Sequence, residues 1–519
     1  MTNLQPPRTP TLAGTGAGEL AALIAAGAIS SLDAVEAHIA RIEAVNERLN
    51  AVVVKRYDEA RAEARAADRA RAAGDRLGPL HGVPVTLKET FGLAGTPATF
   101  GLAARAAHRA SADDPYVARL RAAGAIVLGK TNVAQLLMSL ESYNPVYGRT
   151  NNPHDPDRSA GGSSGGEAAI IAAGGSPLGL GTDIGGSSRI PAAFCGIVGF
   201  KPTEGRTPDP GRGSVPFGQR AIVSQIGVLA RSVDDAALGL SVIAAPPVDP
   251  LAPPVPLGDH RAVDVRTLRV AVYEDDGVFL SSPAVRRAVR EAAQRLASAG
   301  ARVVAWTPPD LRIANELFFG LLAADRGRGF RALLRGEKVD PSLAPMLMIA
   351  KQPRLAVEAF RALFRVLGQR RTAELVSNYG YGDTHHYWPL VETQLDYRRR
   401  FLEALDRGDG EPFDVVLGPP CALPAFTHGA ARDLAVPGTY STLPNVLGFP
   451  AGVVPVTTVR ADEEAARPAS RDAVDAAAAK VDRGSAGLPA GAQVMARPWR
   501  DDVALAAMRA IEGTPASAG

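Results

Sequence analysis

Two glycine-rich runs decide the reading of this chain: Ala160-Gly-Gly-Ser-Ser-Gly-Gly-Glu167 and Gly181-Thr-Asp-Ile-Gly-Gly-Ser-Ser-Arg189. An Ala/Ile-rich segment joins them. Each run sets a pair of serine hydroxyls in backbone that carries few side chains. Glycine lets main-chain N–H groups come close to a reacting atom, where bulkier residues would stand in the way. The pattern suits acyl-transfer chemistry.

Outward from these runs, strand-like and helical stretches alternate. Ser30-Ser31 followed by Val35, Ile39 and Ile42 has the start residue and spacing of an amphipathic helix, and the Ala/Arg/Glu-rich run 57–73 continues helical. Residues 84–87 read as a short buried strand that delivers Lys88 at its end. A helix over 115–123 stops at Gly124, and 125–128 makes the next strand. Farther on, 268–272, 301–305, 414–417 and 451–459 read as strands, with a helix over 282–299. Such alternation predicts an α/β fold whose sheet is covered by helices.

The composition narrows the function classes. With 519 residues and 46% hydrophobic content, the chain can build a large core, and disorder is expected only at the ends. The net charge of +3, from 57 basic and 54 acidic residues, comes without a block of like charges, so no nucleic-acid partner is indicated. Cys195 and Cys421 sit in apolar surroundings outside any CxxC or Cys/His cluster. They read as reduced core thiols of a cytoplasmic protein, with no metal site. Residues 1–15 are irregular and lack the pattern of a signal peptide or anchor. The longest apolar stretches, such as 20–29, are too short to span a bilayer, so membrane contact would be peripheral.

We expect a single domain over 1–519 with two elaborations. The block 330–405 is helical without strands and looks like a cap inserted into the α/β scaffold. Within it, Val357, Phe360, Phe364 and Leu367 share one helical face and Arg354, Arg361 and Arg365 an adjacent one, making 343–371 a basic amphipathic segment. The polar, Ala-rich stretch 460–487 reads as a surface excursion.

Three motifs compete for the chemistry. Gly124-Ala-Ile-Val-Leu-Gly-Lys-Thr131 satisfies the phosphate-loop pattern, but its middle is itself a strand and a helix precedes it. Lys130 is therefore read as structural. Gly162-Ser-Ser-Gly-Gly166 matches a nucleophile elbow with Ser164 as nucleophile and His385, His386 or His428 as base. An elbow needs a strand leading into it, and the preceding Asn-Pro-His-Asp-Pro-Asp-Arg is turn-like. The third candidate is Ser187, with consecutive N–H groups from Ile184, Gly185, Gly186 and Ser187 around a developing oxyanion. A Lys buried where its charge is unfavourable can act as base, and Lys88, after apolar Val85 and Leu87, fits. The competing role for Lys88, an ion pair with Glu89 or Asp183, is equally compatible with composition. Asp183 and Arg189 read as an ion pair fixing the loop.

Taken together, Lys88 after Gly-Val-Pro-Val, the 161–166 run and the 181–187 run resemble the amidase signature family. In that family a Lys, a Ser behind a cis peptide and a nucleophilic Ser form the triad, the bridging Ser standing 24 positions before the nucleophile, as Ser163 stands before Ser187 here. The resemblance thus implies roles for Lys88, Ser163 and Ser187, with Leu137 lining the substrate site; Ser164, counted with the substrate-binding residues, supports the loop or donates a hydrogen bond. It implies a large mixed sheet flanked on both sides by helices. Within the family it runs toward the fatty acid amide hydrolases, through Phe-Pro-Ala-Gly-Val-Val-Pro-Val-Thr-Thr-Val at 449–459 and Gly-Leu-Pro-Ala-Gly-Ala-Gln-Val near the C-terminus. Ala160 stands where the family commonly has Pro, and Leu137 where the animal enzymes have Met.

The resulting expectation is a serine amide hydrolase of apolar acyl amides, working on a small-molecule amide without metal or cofactor. A homodimer and peripheral membrane contact through 343–371 are compatible with it. The alternative is a glutamine-hydrolysing amidotransferase subunit of a tRNA-dependent complex, which resembles the same family.

Overall fold

The computed structural model describes residues 12–513 apart from 210–217, 245, 251, 378, 381 and 466. Of the irregular N-terminus read from the sequence, 1–11 therefore lie outside the described residues, and a short 3-10 turn, Leu12–Gly14, follows them.

Among the described residues thirteen strands are present: β1 (Val52–Lys55), β2 (Pro84–Lys88), β3 (Ile126–Thr131), β4 (Tyr143–Asn144), β5 (Gly148–Arg149), β6 (Leu178–Asp183), β7 (Val198–Lys201), β8 (Gln225–Ala230), β9 (Arg269–Val272), β10 (Arg302–Ala305), β11 (Val415–Gly418), β12 (Ala451–Thr458) and β13 (Pro489–Ala496). Eleven of them form one mixed sheet in the order β1-β3-β2-β6-β8-β7-β12-β13-β11-β9-β10. Three neighbours, β3, β2 and β6, run parallel, as do β11, β9 and β10, while the strands between pair antiparallel.

Both faces of the sheet are covered, and the strands show it by alternation. Along β3, Val127 packs into one apolar cluster and Ile126 and Leu128 into another; along β11, Val415 and Leu417 face one way and Val416 the other. On β2, Val85 and Leu87 belong to the first cluster, so Thr86 and Lys88 point to the opposite face. The buried helix Gly165–Ala172 lies on that face, where its Glu167 accepts a hydrogen bond from Thr86. The period of two is what turns Lys88 toward the glycine-rich runs.

The expected helices form at Ser31–Leu49, Tyr57–Ala72, Pro115–Ala122 and Pro283–Ser298. The first opens on a capping box in which Ser30 and Asp33 satisfy each other's backbone N–H groups. Among the described residues of 328–407 there are five helical segments, ending with the long helix Thr384–Arg407. Its amphipathic helix Arg354–Val366 divides the residues read as one apolar face. Val357 and Phe364 pack inward with Ala350, Val376 and Tyr379, whereas Phe360 and Leu367 join Leu355, Leu363 and Val366 in solvent. The stretch 460–487 holds the helix Ala473–Asp482, whose Val474, Ala478 and Val481 are part of a core cluster, because alanine-rich faces pack closely on neighbours. Among the described residues no helix is long and apolar enough to cross a membrane.

Candidate active site

Lys88 ends β2 wholly buried, and its Nζ donates to Ser163 Oγ at 2.8 Å and to Thr182 Oγ1 at 2.8 Å. Burial without a carboxylate partner drives its pKa down from 10.5 to about 7, against the pull of Asp183, Asp209 and Glu167. Neither ion pair open to it in the sequence forms: Glu89 accepts from the Thr99 and Phe100 N–H groups, and Asp183 binds Arg189.

Ser163 follows the cis peptide Gly162–Ser163. Its carbonyl accepts from the Ala134 N–H at 3.3 Å and from Ser142 Oγ at 3.3 Å, which locks the run against the 132–142 segment. The next residue ties the two runs together, the Ser164 N–H donating to the Ser187 carbonyl at 3.1 Å. Ser187 is half-buried and sits one residue past Gly186, whose φ of +107° is glycine territory. A Cβ at Gly186 would also stand 2.4 Å from Ser441 Cβ.

Beneath the 184–188 loop lies Asp183, at the end of β6. Its carboxylate accepts from Arg189 at 2.8 and 3.0 Å and from the Gly186 and Ser188 N–H groups at 2.8 and 3.1 Å. Burial works to raise its pKa, but Arg189 and these donors hold the carboxyl below the usual range. Arg189 also donates to Gln493 and Asn445, each at 2.6 Å, so the expected ion pair is the centre of a buried network.

This geometry sorts the site residues read from the sequence. Gly186 does not join the oxyanion donors, because its N–H is already given to Asp183; Ile184, Gly185 and Ser187 keep N–H groups without partners among the described residues. Ser164, read as a loop support or a hydrogen-bond donor, is wholly buried with its Oγ under Gly181, which fits the first of these roles. Its burial also removes the elbow reading: His385 is exposed at the start of a helix, and His428 Nε2 bonds the Pro156 carbonyl at 2.9 Å. Leu137 is partly buried and packs with Phe330 and Leu334 of the helical block. Lys130 lies inside β3 with its amine on the Pro97 carbonyl, as a structural residue does.

Several participants escaped the sequence. Thr182 holds Lys88 because β6 runs beside β2, a pairing visible only once Leu178–Asp183 is recognised as a strand. Glu167 takes hydroxyl bonds from Thr86 and Thr131, and burial pushes its carboxyl up to about 7. Asn445 and Gln493 arrive from far along the chain; Gln493 lies in the 487–494 run that carries part of the resemblance, but the run by itself does not pair it with Arg189.

The family described as Amidase matches residues 33–505. The chain belongs to the amidase family. It is 38% identical over 447 residues to the fatty-acid amide hydrolase 1 of Sus scrofa, covering 84% of this chain and 76% of the relative. A glutamyl-tRNA(Gln) amidotransferase subunit from Roseiflexus castenholzii is 36% identical over 441 residues, 83% of this chain and 87% of that protein. Among solved structures, a fatty acid amide hydrolase superposes with a TM-score of 0.81 at 26% identity, over 96% of this chain and 85% of that one. This amidase is an amide-hydrolysing enzyme on the α/β architecture its sequence announced.

Proposed function

We propose that this amidase cleaves carboxylic amides of apolar acyl groups through an acyl-enzyme on Ser187, with Lys88 as base and Ser163 as relay. The observation that carries the reading is the 2.8 Å bond between the buried Lys88 amine and Ser163 Oγ. Neutral Lys88 accepts the Ser163 proton while Ser163 takes that of Ser187, whose oxygen attacks the carbonyl carbon. The free N–H groups of Ile184, Gly185 and Ser187 hold the oxyanion. The proton then returns through Ser163 to the nitrogen, the C–N bond breaks, and water hydrolyses the ester by the same relay.

Apolar surroundings support the substrate class. Leu137 and Met138 join Phe100, Leu102, Phe330 and Leu334 in a cluster, and the backbone on either side of them, at Ala134 and at 139–141, touches the Ser163 run. Beyond it, the helix Arg354–Val366 leaves Leu355, Leu363 and Val366 in solvent next to its arginines, a surface suited to peripheral contact with anionic lipid. The relatives' printed names include a fatty-acid amide hydrolase and a glutamyl-tRNA(Gln) amidotransferase subunit. A rate comparison across short, aryl and long-chain amides with glutamine included separates them. In that assay Ser187→Ala abolishes hydrolysis and labelling by a fluorophosphonate; labelling retained in the variant refutes the assignment.

A further inference from the structure

We propose that Phe318 is a specificity-determining residue of this site, its ring walling the oxyanion donors so that acyl groups linear or flat at the α-carbon enter and branched ones do not. The inference rests on the reading of Ser187 as nucleophile with Gly185 among its donors.

Phe318 belongs to the helix Leu311–Leu322, outside the motifs that mark the family's chemistry. A Cβ built on Gly185 would lie 2.5 Å from its Cζ and 2.9 Å from Cε2, and the three nearest atoms are all of this ring. The φ of Gly185 lies outside the left-handed region, so backbone conformation does not demand glycine there. The ring does. Phe318 is half-buried and, with Ile184 and Leu140, forms the partly open apolar fringe of the second core cluster, so its ring meets both protein and site.

The wall is anchored. Phe319 meets the ring edge-on at 5.4 Å and 85°. One turn earlier, Asn315 accepts from Thr442 Oγ1 at 3.3 Å, and nearby Asn445 donates to Asp183, so this helix is braced on the network that shapes the nucleophile loop. A carbonyl oxygen accepting from Gly185 lies about 2.9 Å from its nitrogen, and the proposal is that its substituents then run along the ring that closes the Cβ side of Gly185. A methylene or aryl group lies along that surface. A quaternary α-carbon has to displace it, and misfits of one or two carbons in an apolar pocket typically change kcat/KM by about 10- to 200-fold.

The test compares kcat/KM for hexanamide and 2,2-dimethylhexanamide in the wild type, Phe318→Ala and Phe318→Leu, each labelled with a fluorophosphonate. The expected result is a rise of at least about fivefold in the branched-to-linear ratio on removing the ring, with Phe318→Leu giving the same direction should the Ala variant not fold. A smaller change with labelling intact overturns the proposal. Gly185→Ala supplies an independent arm: it lowers turnover of the linear amide, and Phe318→Ala in the same chain recovers it; no recovery counts against the contact. A wild type that neither labels nor cleaves either amide strikes the underlying assignment of Ser187, and the proposal falls with it.

Discussion

Asp183→Asn tests whether the nucleophile loop is held from below. The wild-type carboxylate accepts from the Gly186 N–H at 2.8 Å, the Ser188 N–H at 3.1 Å, Arg189 at 2.8 and 3.0 Å and Asn445 at 3.2 Å. An amide there keeps the shape, loses the charge and turns one oxygen into a donor facing donors. Arg189, fully buried, is left without its counter-ion. Breaking a buried pair by removing one partner costs about 3 to 5 kcal/mol. Urea unfolding at pH 7 reads that as a fall in midpoint at unchanged slope. The pH dependence follows from the depressed carboxyl: its stabilisation is complete above the ordinary carboxylate range and is lost as pH falls through its lowered native value. The gap between wild type and variant therefore closes only in strong acid. Loop displacement also slows labelling of Ser187, by as much as about 100-fold if the hydroxyl moves by about 1 Å. A stability loss under about 1 kcal/mol at pH 7 would refute the idea that this pair shapes the loop.

Two further outcomes concern buried groups around the site. In Gly179→Ala the new methyl would sit 1.8 Å from Glu167 Oε1 and 2.8 Å from the Thr86 carbonyl; the thermal midpoint falls, by the equivalent of about 1 to 3 kcal/mol or more, and an unchanged midpoint means Glu167 is not where it is described. Burial lowers Lys88 and Lys201 to about 7 and Lys130 to about 8. Between these values and the ordinary lysine value of 10.5 the unfolded chain binds more protons than the folded one, so this contribution to stability rises across that window; Lys201→Met flattens the rise in calorimetry, and an unaltered profile contradicts it.

The parts legible in the sequence are those with local causes. β2, β9, β10, β11 and β12 are short apolar runs next to turn residues, and each is visible as such. By contrast β6 and β8 carry glycines that dilute the apolar signal, and their strand character comes from pairing across the sheet. Ser187 and Lys88 stand out because glycine loops and a Lys among apolar residues are unusual locally. The fate of each N–H is not legible: whether Gly186 faces a substrate or Asp183 depends on a side chain three residues earlier turning back under the loop. Nor can spacing reveal the partition of the Arg354–Val366 helix, since Val357 is covered by Val376 and Tyr379 from the next segment.

The most direct measurement is the pH dependence of kcat/KM for Ser187-dependent amide hydrolysis. With Lys88 as the base, activity rises with pH and levels off through a midpoint near 7, where the buried amine loses its proton. Lys201→Met keeps that limb, and Lys88→Met loses it together with the activity. A midpoint near the ordinary lysine value, or a limb that survives in Lys88→Met, contradicts a neutral amine acting through Ser163.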